Sequence, residues 1–491
     1  MAGRRSFKSD DSFLEKLAIG ACGTKKVMQH LSHLGLRPIE LERGSTSYKL
    51  WKAVKIKRIR VPDILCVANG IRVESRAKTD LAISMSHSQS DSERGWDYGL
   101  KDRDFVALVQ CSRSGSDPVD WRAADLVQYI QVADLRSAYD AGRVIEERPK
   151  GAEEGFELRL TWPAAIASAA GQVVEIGQER IRFERSEDGR TISLARTKRG
   201  IVLDPLVEEG VSFTAGRILA SVTPVHLAIQ AGTTVEMEFY IAELASASLA
   251  DRYTAAKALS HVAVEEIPPA LLARLNDGSE HVYVRMEVAA YLARHGVPEG
   301  ITFIRSAIQS EYLEHRLEAV IILSEIDNAE SNSLLRETMA DSEQNPEIRA
   351  GAAWSLGELS HADTIDDLVS AFHGVPDVVR IEAARALAKI TRENVGPVLD
   401  AYAVAHESTR PGVAWALSQM DNVNLGDILA STCHESTDAR QWTAFVLGSF
   451  EQEKIIGNIE RLKAEDPEVY FGVTLLWKIM TSWVFGLKEF G

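Results

Sequence analysis

The feature that most constrains this chain is a motif repeated seven times in its C-terminal half. Each copy has an arginine, a small apolar residue four positions later and a leucine seven positions later, and copies recur every 30–33 residues. The arginines are Arg252, Arg285, Arg316, Arg349, Arg380, Arg410 and Arg440. Offsets of four and seven lie on one face of an α-helix, so every copy predicts a helix with a narrow apolar stripe.

A unit with this period resembles the HEAT repeat, in a short form with an arginine near the start of the second helix. The resemblance implies an all-α solenoid over residues 244–491, with a concave surface that binds a protein partner. A further unit near Tyr470–Trp477 lacks the arginine, as a capping repeat would. The arginines could bind phosphate, but we expect them to bridge neighbouring repeats through carboxylates.

A second strong signal is a hairpin sequence over residues 61–78, in which Asn69-Gly70 separates two apolar runs. Asn-Gly favours a two-residue turn, because both turn positions need positive φ. Such a turn pairs Ala68 with Ile71 and thereby sets the register of the whole hairpin.

In that register the two faces of the hairpin have opposite character. Asp63 lies opposite Arg76, and Glu74 and Lys78 share their face because side chains alternate along a strand. The other face is apolar and carries Ile64, Cys66, Ala68, Ile71, Val73 and Ala77. Two carboxylates within cross-strand reach can hold a hard divalent ion, and a cation beside them can stabilise charge that develops at phosphorus.

At these residues the chain resembles the PD-(D/E)XK nuclease superfamily. Pro62-Asp63 matches the first half of its signature, and Glu74-Ser75-Arg76 matches the second half with arginine in place of the usual lysine. The resemblance implies Mg²⁺ or Mn²⁺ held by Asp63 and Glu74, with Arg76 and Lys78 as the catalytic cations. Arginine does not lose its proton near neutral pH, so Lys78 could take the lysine role.

The resemblance further implies a metal-dependent nuclease with DNA favoured over RNA, serving restriction or anti-phage defence. Two alternatives stay open. The charged face could be solvated and hold only cross-strand ion pairs. The chain could also be a non-catalytic HEAT scaffold whose nuclease-like domain has degenerated, a reading that Arg76 favours.

The surrounding residues 1–145 predict a restriction-endonuclease-like α/β domain. The patterns indicate a helix over 11–34, a mobile loop over 84–103, a buried strand over 104–110 and a crossover helix over 121–141. Three upstream acids are candidates to join the site: Glu15, Glu40 and Glu42.

Residues 150–243 predict a β-rich sandwich or barrel, after a charged linker over 142–155. Seven short strand-like runs with frequent glycine carry this prediction. The runs are Phe156–Leu160, Val173–Ile176, Arg180–Arg185, Thr191–Ala195, Ile201–Leu203, Arg217–Val222 and Thr234–Tyr240. Glu187–Arg190 reads as a hairpin turn between two of them.

The charge of the chain is uneven. The net charge is −16, yet residues 1–110 contain 20 Lys or Arg against 13 Asp or Glu. A stripe just before the hairpin interleaves basic and apolar residues and could track a phosphate backbone, or could be an exposed edge strand. Its candidate nucleic-acid contacts are Lys52, Lys55, Lys57, Arg58 and Arg60.

Length and composition complete the expectations. A chain of 491 residues with 45 % hydrophobic residues suggests about three globular domains. No apolar run reaches membrane-spanning length, and the four cysteines have no metal or disulfide spacing. We therefore expect a cytoplasmic protein, not bound to a membrane, and leave a homo-oligomer open.

Overall fold

The computed structural model describes residues 10–46, 59–91, 94–148, 157–230, 232–262, 266–373, 376–391, 395–420 and 436–449, together with 463, 464, 467, 470 and 471. The chain divides into two compact units, residues 1–50 with 58–270, and residues 51–57 with 271–491. The described part of the first unit is rich in strands, and that of the second is helical.

A five-stranded mixed sheet lies in the first unit, in the order β1-β2-β3-β5-β6. The strands are β1 (Pro38–Glu40), β2 (Ile64–Cys66), β3 (Ile71–Lys78), β5 (Phe105–Arg113) and β6 (Trp121–Gln131). β3 runs antiparallel to β2 and parallel to β5, and β5 runs antiparallel to β6. β3 is therefore a central strand, and it carries three of the four predicted catalytic residues.

Helix α1 (Asp10–His33) covers one face of this sheet. One apolar core joins the helix to the sheet and contains Val27, Leu31, Ile64, Cys66, Val73, Ala107, Val109 and Tyr129. Ile71 and Ala77 pack against the same core. The predicted helix over 11–34, the predicted strand after residue 104 and the apolar face of the hairpin strands are confirmed.

The predicted crossover helix over 121–141 is wrong in its first half. Strand β6 occupies that half, and only Val132–Asp140 form a helix, α2. Tyr129 of β6 enters the core under α1, whereas Ile130 enters a second core on the opposite face. A strand buried on both faces shows no polar alternation, so its sequence resembles that of a buried helix.

The predicted mobile loop over 84–103 is also corrected at its start. Residues Ile83–Ser88 form strand β4, which pairs antiparallel with β8 (Glu157–Trp162). β8 in turn pairs with β7 (Ile145–Glu147). The serines of β4 alternate with the buried side chains Ile83 and Met85, so residues typical of loops lie here in a half-buried strand.

The expected β-rich character of the following residues is confirmed. Three further sheets have the orders β12-β11-β10-β16, β15-β17-β9 and β13-β14. Their strands are β9 (Ala164–Ile166), β10 (Gly171–Ile176), β11 (Arg180–Arg185), β12 (Thr191–Ala195), β13 (Thr197–Lys198), β14 (Ile201–Val202), β15 (Asp204–Pro205), β16 (Ser212–Phe213) and β17 (Ile218–Ser221). The turn at Glu187–Arg190 joins β11 to β12 as predicted.

A second apolar core connects these strands with the central sheet. It includes Val106, Leu108, Ile130, Leu160, Trp162, Ile181, Phe183 and Leu219. Residues on both sides of the charged segment 142–155 thus bury one another. The division into an N-terminal domain (1–145) and a separate middle domain (150–243) stays a prediction.

The predicted strand over Thr234–Tyr240 is wrong. Met237–Glu243 form helix α3, and α4 (Leu249–Leu259) follows with the first repeated arginine. Alternating apolar and acidic residues near Glu236 imitate a strand, but Tyr240 is 1 % exposed and anchors the helix. Its hydroxyl donates to the Val67 carbonyl at 2.8 Å.

α4 is tied to the hairpin as well. The buried Arg72 of β3 forms an ion pair with Asp251 of α4, and Lys101 lies 3.2 Å from the same carboxylate. Asp104 accepts the backbone N–H of Arg72 at 2.9 Å. Because Arg72, Asp104 and Asp251 are all less than 9 % exposed, these pairs are shielded from solvent.

The described part of the second unit is made up of helices. They are α5 (Pro269–Asn276), α6 (Val282–Arg294), α7 (Pro298–Ile308), α8 (Leu313–Leu323), α9 (Ala329–Ala340), α10 (Pro346–Leu359), α11 (Ile365–Ser370), α12 (Asp377–Ile390), α13 (Gly396–Val404), α14 (Arg410–Ser418) and α15 (Thr437–Gly448). No helix of the described residues is long and apolar enough to span a membrane.

Each repeated motif lies in a helix of its own, from α4 through every second helix to α14, and in α15. The motif's apolar residues are buried: Ala256, Leu259, Ala289, Leu292, Val320, Leu323, Ala353, Leu356, Ala384, Leu387, Ala414, Leu417 and Leu447. The predicted apolar stripe is therefore confirmed. The proposed capping unit near Tyr470–Trp477 lies mostly outside the described residues.

Most of the repeated arginines contact backbone carbonyls in, or just after, the helix that precedes their own. Their guanidinium groups donate to carbonyl groups 6–10 residues upstream, Arg252 to Ser246, Arg285 to Leu275, Arg316 to Ser310, Arg349 to Met339 and Arg410 to Tyr402. Arg410 also pairs with the Asp438 carboxylate at 3.0 Å, and Arg380 pairs with Asp377 in its own helix. The expected carboxylate bridge to a neighbouring repeat is therefore found at Arg410. In the other copies named above the arginine makes backbone contacts instead, which satisfy carbonyls near a helix end, or pairs within its own helix.

Candidate active site

The turn of the central hairpin is longer than predicted. β2 and β3 pair Cys66 with Ile71, which leaves the four residues Val67–Gly70 in the turn. The Ala68 carbonyl accepts a hydrogen bond from the Val235 amide at 2.9 Å. The predicted pairing of Ala68 with Ile71 is therefore wrong.

This correction moves the register by two residues. Because side chains alternate with period two, a shift of two leaves every side chain on its predicted face. The observed pairing of Ile64 with Val73, continued by one residue, sets Asp63 opposite Glu74 rather than Arg76. The two carboxylates are thus direct cross-strand neighbours.

Asp63 and Glu74 form a half-buried acidic pair. The backbone N–H of Ser75 donates to Asp63 Oδ2 at 2.8 Å, which fixes the position of that carboxylate. Burial and the charge of Glu74 raise the pKa of Asp63 well above its ordinary value. Burial also raises the pKa of Glu74, against the opposing effect of Arg76. Both groups would be relieved by a positive charge placed between them.

One of the three upstream acids lies near this pair. The Leu41 amide donates to the Asp63 carbonyl at 2.8 Å, and the charge of the adjacent Glu42 raises the pKa of both Asp63 and Glu74. Glu40 instead accepts the Thr46 amide at 2.8 Å, and Glu15 pairs with Arg113. Glu42 is therefore the upstream acid that can act on the site.

Arg76 contacts Glu74. Its Nη2 lies 3.0 Å from Glu74 Oε1, and the two side chains are 36 % and 20 % exposed. Its Nε is buried without a hydrogen-bond partner among the described residues. The predicted cross-strand pairing of Arg76 with Asp63 is therefore corrected to a contact along one strand.

Lys78 is held at the far end of β3. Its ammonium group donates to the Ala82 carbonyl at 2.9 Å, the Ser84 carbonyl at 3.0 Å and Ser84 Oγ at 2.6 Å. Burial, together with the charges of Arg159 and Arg76, lowers the pKa of Lys78 to about 8. An ammonium group has three N–H donors, and these contacts use all three.

Ser84 and Arg159 are site residues that the sequence analysis missed. Arg159 Nη2 lies 3.3 Å from Ser84 Oγ, which also accepts from Lys78. Ser84 was assigned to a loop, and Arg159 lies on a strand of the β-rich segment. No motif or spacing links them, because their proximity results from the pairing of β4 with β8.

The predicted nucleic-acid contacts are mostly untested by the structure. Lys52, Lys55, Lys57 and Arg58 lie outside the described residues. Arg60 is described and exposed, two residues before the buried Pro62. Gln110, on β5, donates to the Thr79 carbonyl, and Asp97 accepts from Arg136.

The acidic pair fits a small divalent cation in its chemistry. Asp63 and Glu74 offer oxygen ligands, the kind that Mg²⁺ and Mn²⁺ prefer. Burial raises the pKa of both carboxyl groups, and a bound cation would favour their ionised forms. Within the described residues no group of three or more His, Cys, Asp or Glu side chains is arranged for a metal ion. Mg²⁺ is commonly held by one or two carboxylates with water as the remaining ligands, so two carboxylates suffice.

Comparison with known proteins bears on the helical part of the chain. Residues 301–388, which run from α7 to α12, match the HEAT-repeat family. These residues are HEAT repeats. The predicted solenoid is confirmed to that extent.

The curated proteins include a relative that matches a short part of the chain. Deoxyhypusine hydroxylase of Candida glabrata is 38 % identical over 82 residues, which are 16 % of this chain and 25 % of that protein. The chain therefore matches a quarter of the length of this relative.

Solved structures give three further likenesses. Human deoxyhypusine hydroxylase in complex with glycerol has a TM-score of 0.22 at 17 % identity, over 39 % of this chain and 75 % of that one. The CpcE–CpcF complex of phycocyanin lyase from Nostoc sp. PCC7120 has a TM-score of 0.24 at 20 % identity, over 51 % of this chain and 96 % of that one. The Kap95p complex with RanGDP has a TM-score of 0.25 at 15 % identity, over 48 % of this chain and 38 % of that one.

Proposed function

We propose that this protein is a metal-dependent nuclease that hydrolyses phosphodiester bonds at the Asp63–Glu74 pair. The observation that carries the proposal is the half-buried pairing of these carboxylates on neighbouring strands, with the pKa of each raised by burial. Two half-buried carboxylates with one neighbouring arginine are costly to fold, and such a pair is typical of a site that receives a cation. The Pro62-Asp63 and Glu74-Ser75-Arg76 segments, which resemble the PD-(D/E)XK signature, occupy these positions.

The side chains have separate roles in this proposal. Asp63 and Glu74 would bind Mg²⁺ or Mn²⁺, with Glu42 adding negative charge. The ion would supply Lewis-acid stabilisation of charge on the phosphoryl oxygens. Ser75 orients Asp63 through its amide, and Arg76 keeps Glu74 ionised while it presents a fixed positive charge to the substrate.

The substrate and setting are also proposals. DNA is favoured over RNA, with restriction or anti-phage defence in the cytoplasm as the setting, by analogy with the superfamily alone. The helical repeats would bind a protein partner, because residues 244–491 contain 20 Lys or Arg against 37 Asp or Glu. An acidic solenoid disfavours bare nucleic acid as its own ligand. A homo-oligomer stays open.

One arrangement favours the rival function, a non-catalytic HEAT scaffold with a degenerate nuclease-like domain. Arg76 already pairs with Glu74, and Lys78 uses all its donors within the protein. A carboxylate neutralised by arginine has less need of a metal ion.

The decisive experiment is cleavage of plasmid DNA, linear DNA, single-stranded DNA and RNA by the purified full chain, in Mg²⁺, Mn²⁺ or EDTA. We expect cleavage with metal only, and its loss in Asp63→Asn and in Glu74→Gln. Asp80→Asn is the matched control, because Asp80 is an exposed acid just beyond β3. Cleavage that survives in both site variants would refute this site, and no cleavage of any substrate would favour the scaffold.

A further inference from the structure

Two cations converge on one hydroxyl group at the far end of β3. Lys78 Nζ lies 2.6 Å and Arg159 Nη2 lies 3.3 Å from Ser84 Oγ. They come from different parts of the chain, since Lys78 ends β3 whereas Arg159 lies on β8. Ser84 is 7 % exposed, and Arg159 is exposed to solvent above it.

This arrangement lacks a counter-charge. Among the described residues, neither Lys78 nor Arg159 has a carboxylate within ion-pair distance. Glu74, on the same face of β3, pairs with Arg76, and Glu147, the cross-strand partner of Arg159, pairs with Arg199. Like charges held close in a half-buried place repel, and the repulsion is relieved when an anion binds between them. The pKa of Lys78, lowered by burial and by the charges of Arg159 and Arg76, is consistent with that repulsion.

We propose that Arg159, Ser84 and Lys78 form an oxyanion subsite that binds a phosphate group. Arg159 would be the main ligand, because its planar guanidinium has a fork of N–H donors and only one contact, at Ser84, among the described residues. Ser84 Oγ accepts from both cations, so its own O–H remains to donate to the anion. Lys78, whose three hydrogens are engaged, supplies a fixed charge beneath the site.

The position along β3 connects this subsite with the carboxylate pair. Glu74, Arg76 and Lys78 follow one another on one face, and the Cα atoms of Glu74 and Lys78 are about 13 Å apart at the usual rise of a strand. The subsite therefore deepens the proposed function, on which it rests for the identity of its anion as a phosphodiester. It would hold a phosphate further along the strand than the one at Asp63 and Glu74, and would give the β-rich segment a direct role in binding substrate.

The test is calorimetric titration of the full chain with inorganic phosphate, and then with a short single-stranded oligonucleotide, both in EDTA so that nothing is cleaved. We expect Arg159→Gln to weaken phosphate binding by about tenfold, the usual scale for losing one charge-assisted contact. Ser84→Ala should weaken it by a smaller factor. Arg180→Gln is the matched control, because Arg180 is an exposed arginine on another strand of the same β-rich segment.

Each outcome separates the subsite from the nuclease. Weaker phosphate binding in Arg159→Gln but not in Arg180→Gln supports the subsite, even in a protein that never cuts. Equal binding by wild type and both variants overturns it, even if the wild type cuts DNA. Should Arg159→Gln unfold, Arg159→Lys replaces it, since lysine keeps the charge and loses the fork. Binding of the oligonucleotide but not of phosphate would also overturn a phosphate-sized subsite.

Discussion

The Arg76 guanidinium lies 3.0 Å from the Glu74 carboxylate, on the same strand and the same face. Arg76 lowers the pKa of Glu74 against the effect of burial, so it keeps that carboxylate available to bind a cation. We expect Arg76→Met to reduce cleavage about a hundredfold, as loss of one electrostatic donor commonly does, and to move the pH–rate profile to higher pH. Arg76→Lys should retain most of the activity. A wild-type profile in Arg76→Met would show that the arginine has no role in the site.

The acidic pair should destabilise the folded protein at neutral pH. Because the pKa of Asp63 is higher in the folded state than its ordinary value of 3.8, stability is lost as the pH rises from that value through the folded pKa. Asp63→Asn should therefore raise the free energy of unfolding by about 0.5–2 kcal/mol at pH 7. The gain should vanish well below pH 3.8, where the acid is protonated in both the unfolded and the folded state. Urea unfolding measures the gain at pH 7 and at the low pH, with Asp80→Asn as the control. An equal gain in the free energy of unfolding at the two pH values would contradict this account.

Arg349 should stabilise its repeat through a single backbone contact. Its side chain is buried, and its Nε donates to the Met339 carbonyl at 2.9 Å. Arg349→Ala leaves that carbonyl without its charged donor, and we expect a loss of about 1.5–3 kcal/mol in urea unfolding followed by circular dichroism.

The chain supplies a control for that loss in another copy of the motif. Arg380 pairs with Asp377 in its own helix, and the two side chains are 47 % and 81 % exposed. An exposed pair contributes little, so Arg380→Ala should change stability by less than about 0.5 kcal/mol. Equal losses in the two variants would show that the backbone contact is not what stabilises the repeats.

Gly357 tests how closely two repeats pack. A Cβ atom placed there would lie 2.8 Å from the Cα and Cβ atoms of Ala386 on α12, which is closer than side chains tolerate. Helix propensity alone predicts that Gly357→Ala gains about 1 kcal/mol, whereas overpacking predicts a loss of about 1–3 kcal/mol. We expect the loss, measured as a lower melting temperature. Gly278→Ala should be neutral, because nothing lies within 4 Å of its added Cβ.

The repeats could be predicted from the sequence because their signal is local. The arginine, the small residue and the leucine lie within two helical turns, so their spacing alone reveals the helix and its inner face. The partner of each arginine could not be predicted, because several acceptors lie equally near in sequence. Arg349, for example, reaches the Met339 carbonyl rather than a carboxylate.

For the hairpin, the faces were predictable and the register was not. Alternation assigns Asp63 and Glu74 to one face for any error in the register that is an even number of residues. The turn length depends on contacts from far along the chain, such as the Val235 amide on the Ala68 carbonyl. Arg159 and Ser84 could not be predicted as neighbours for the same reason, because the pairing of β4 with β8 brings them together from distant parts of the sequence.

The ion pair between Arg72 and Asp251 determines where this protein can be divided. A fragment that ends at residue 145 would leave Arg72 without either of its carboxylates, and one that ends at residue 243 would leave it only Glu243, at 4.0 Å. Buried charge that loses its close partner is strongly destabilising. Either fragment would also lack the Asp251 carboxylate that lies 3.2 Å from the Lys101 ammonium group. A fragment that ends at residue 262 keeps both pairs and all of α4. Proteolysis or truncation that spares the hairpin must therefore retain one helix of the repeat series.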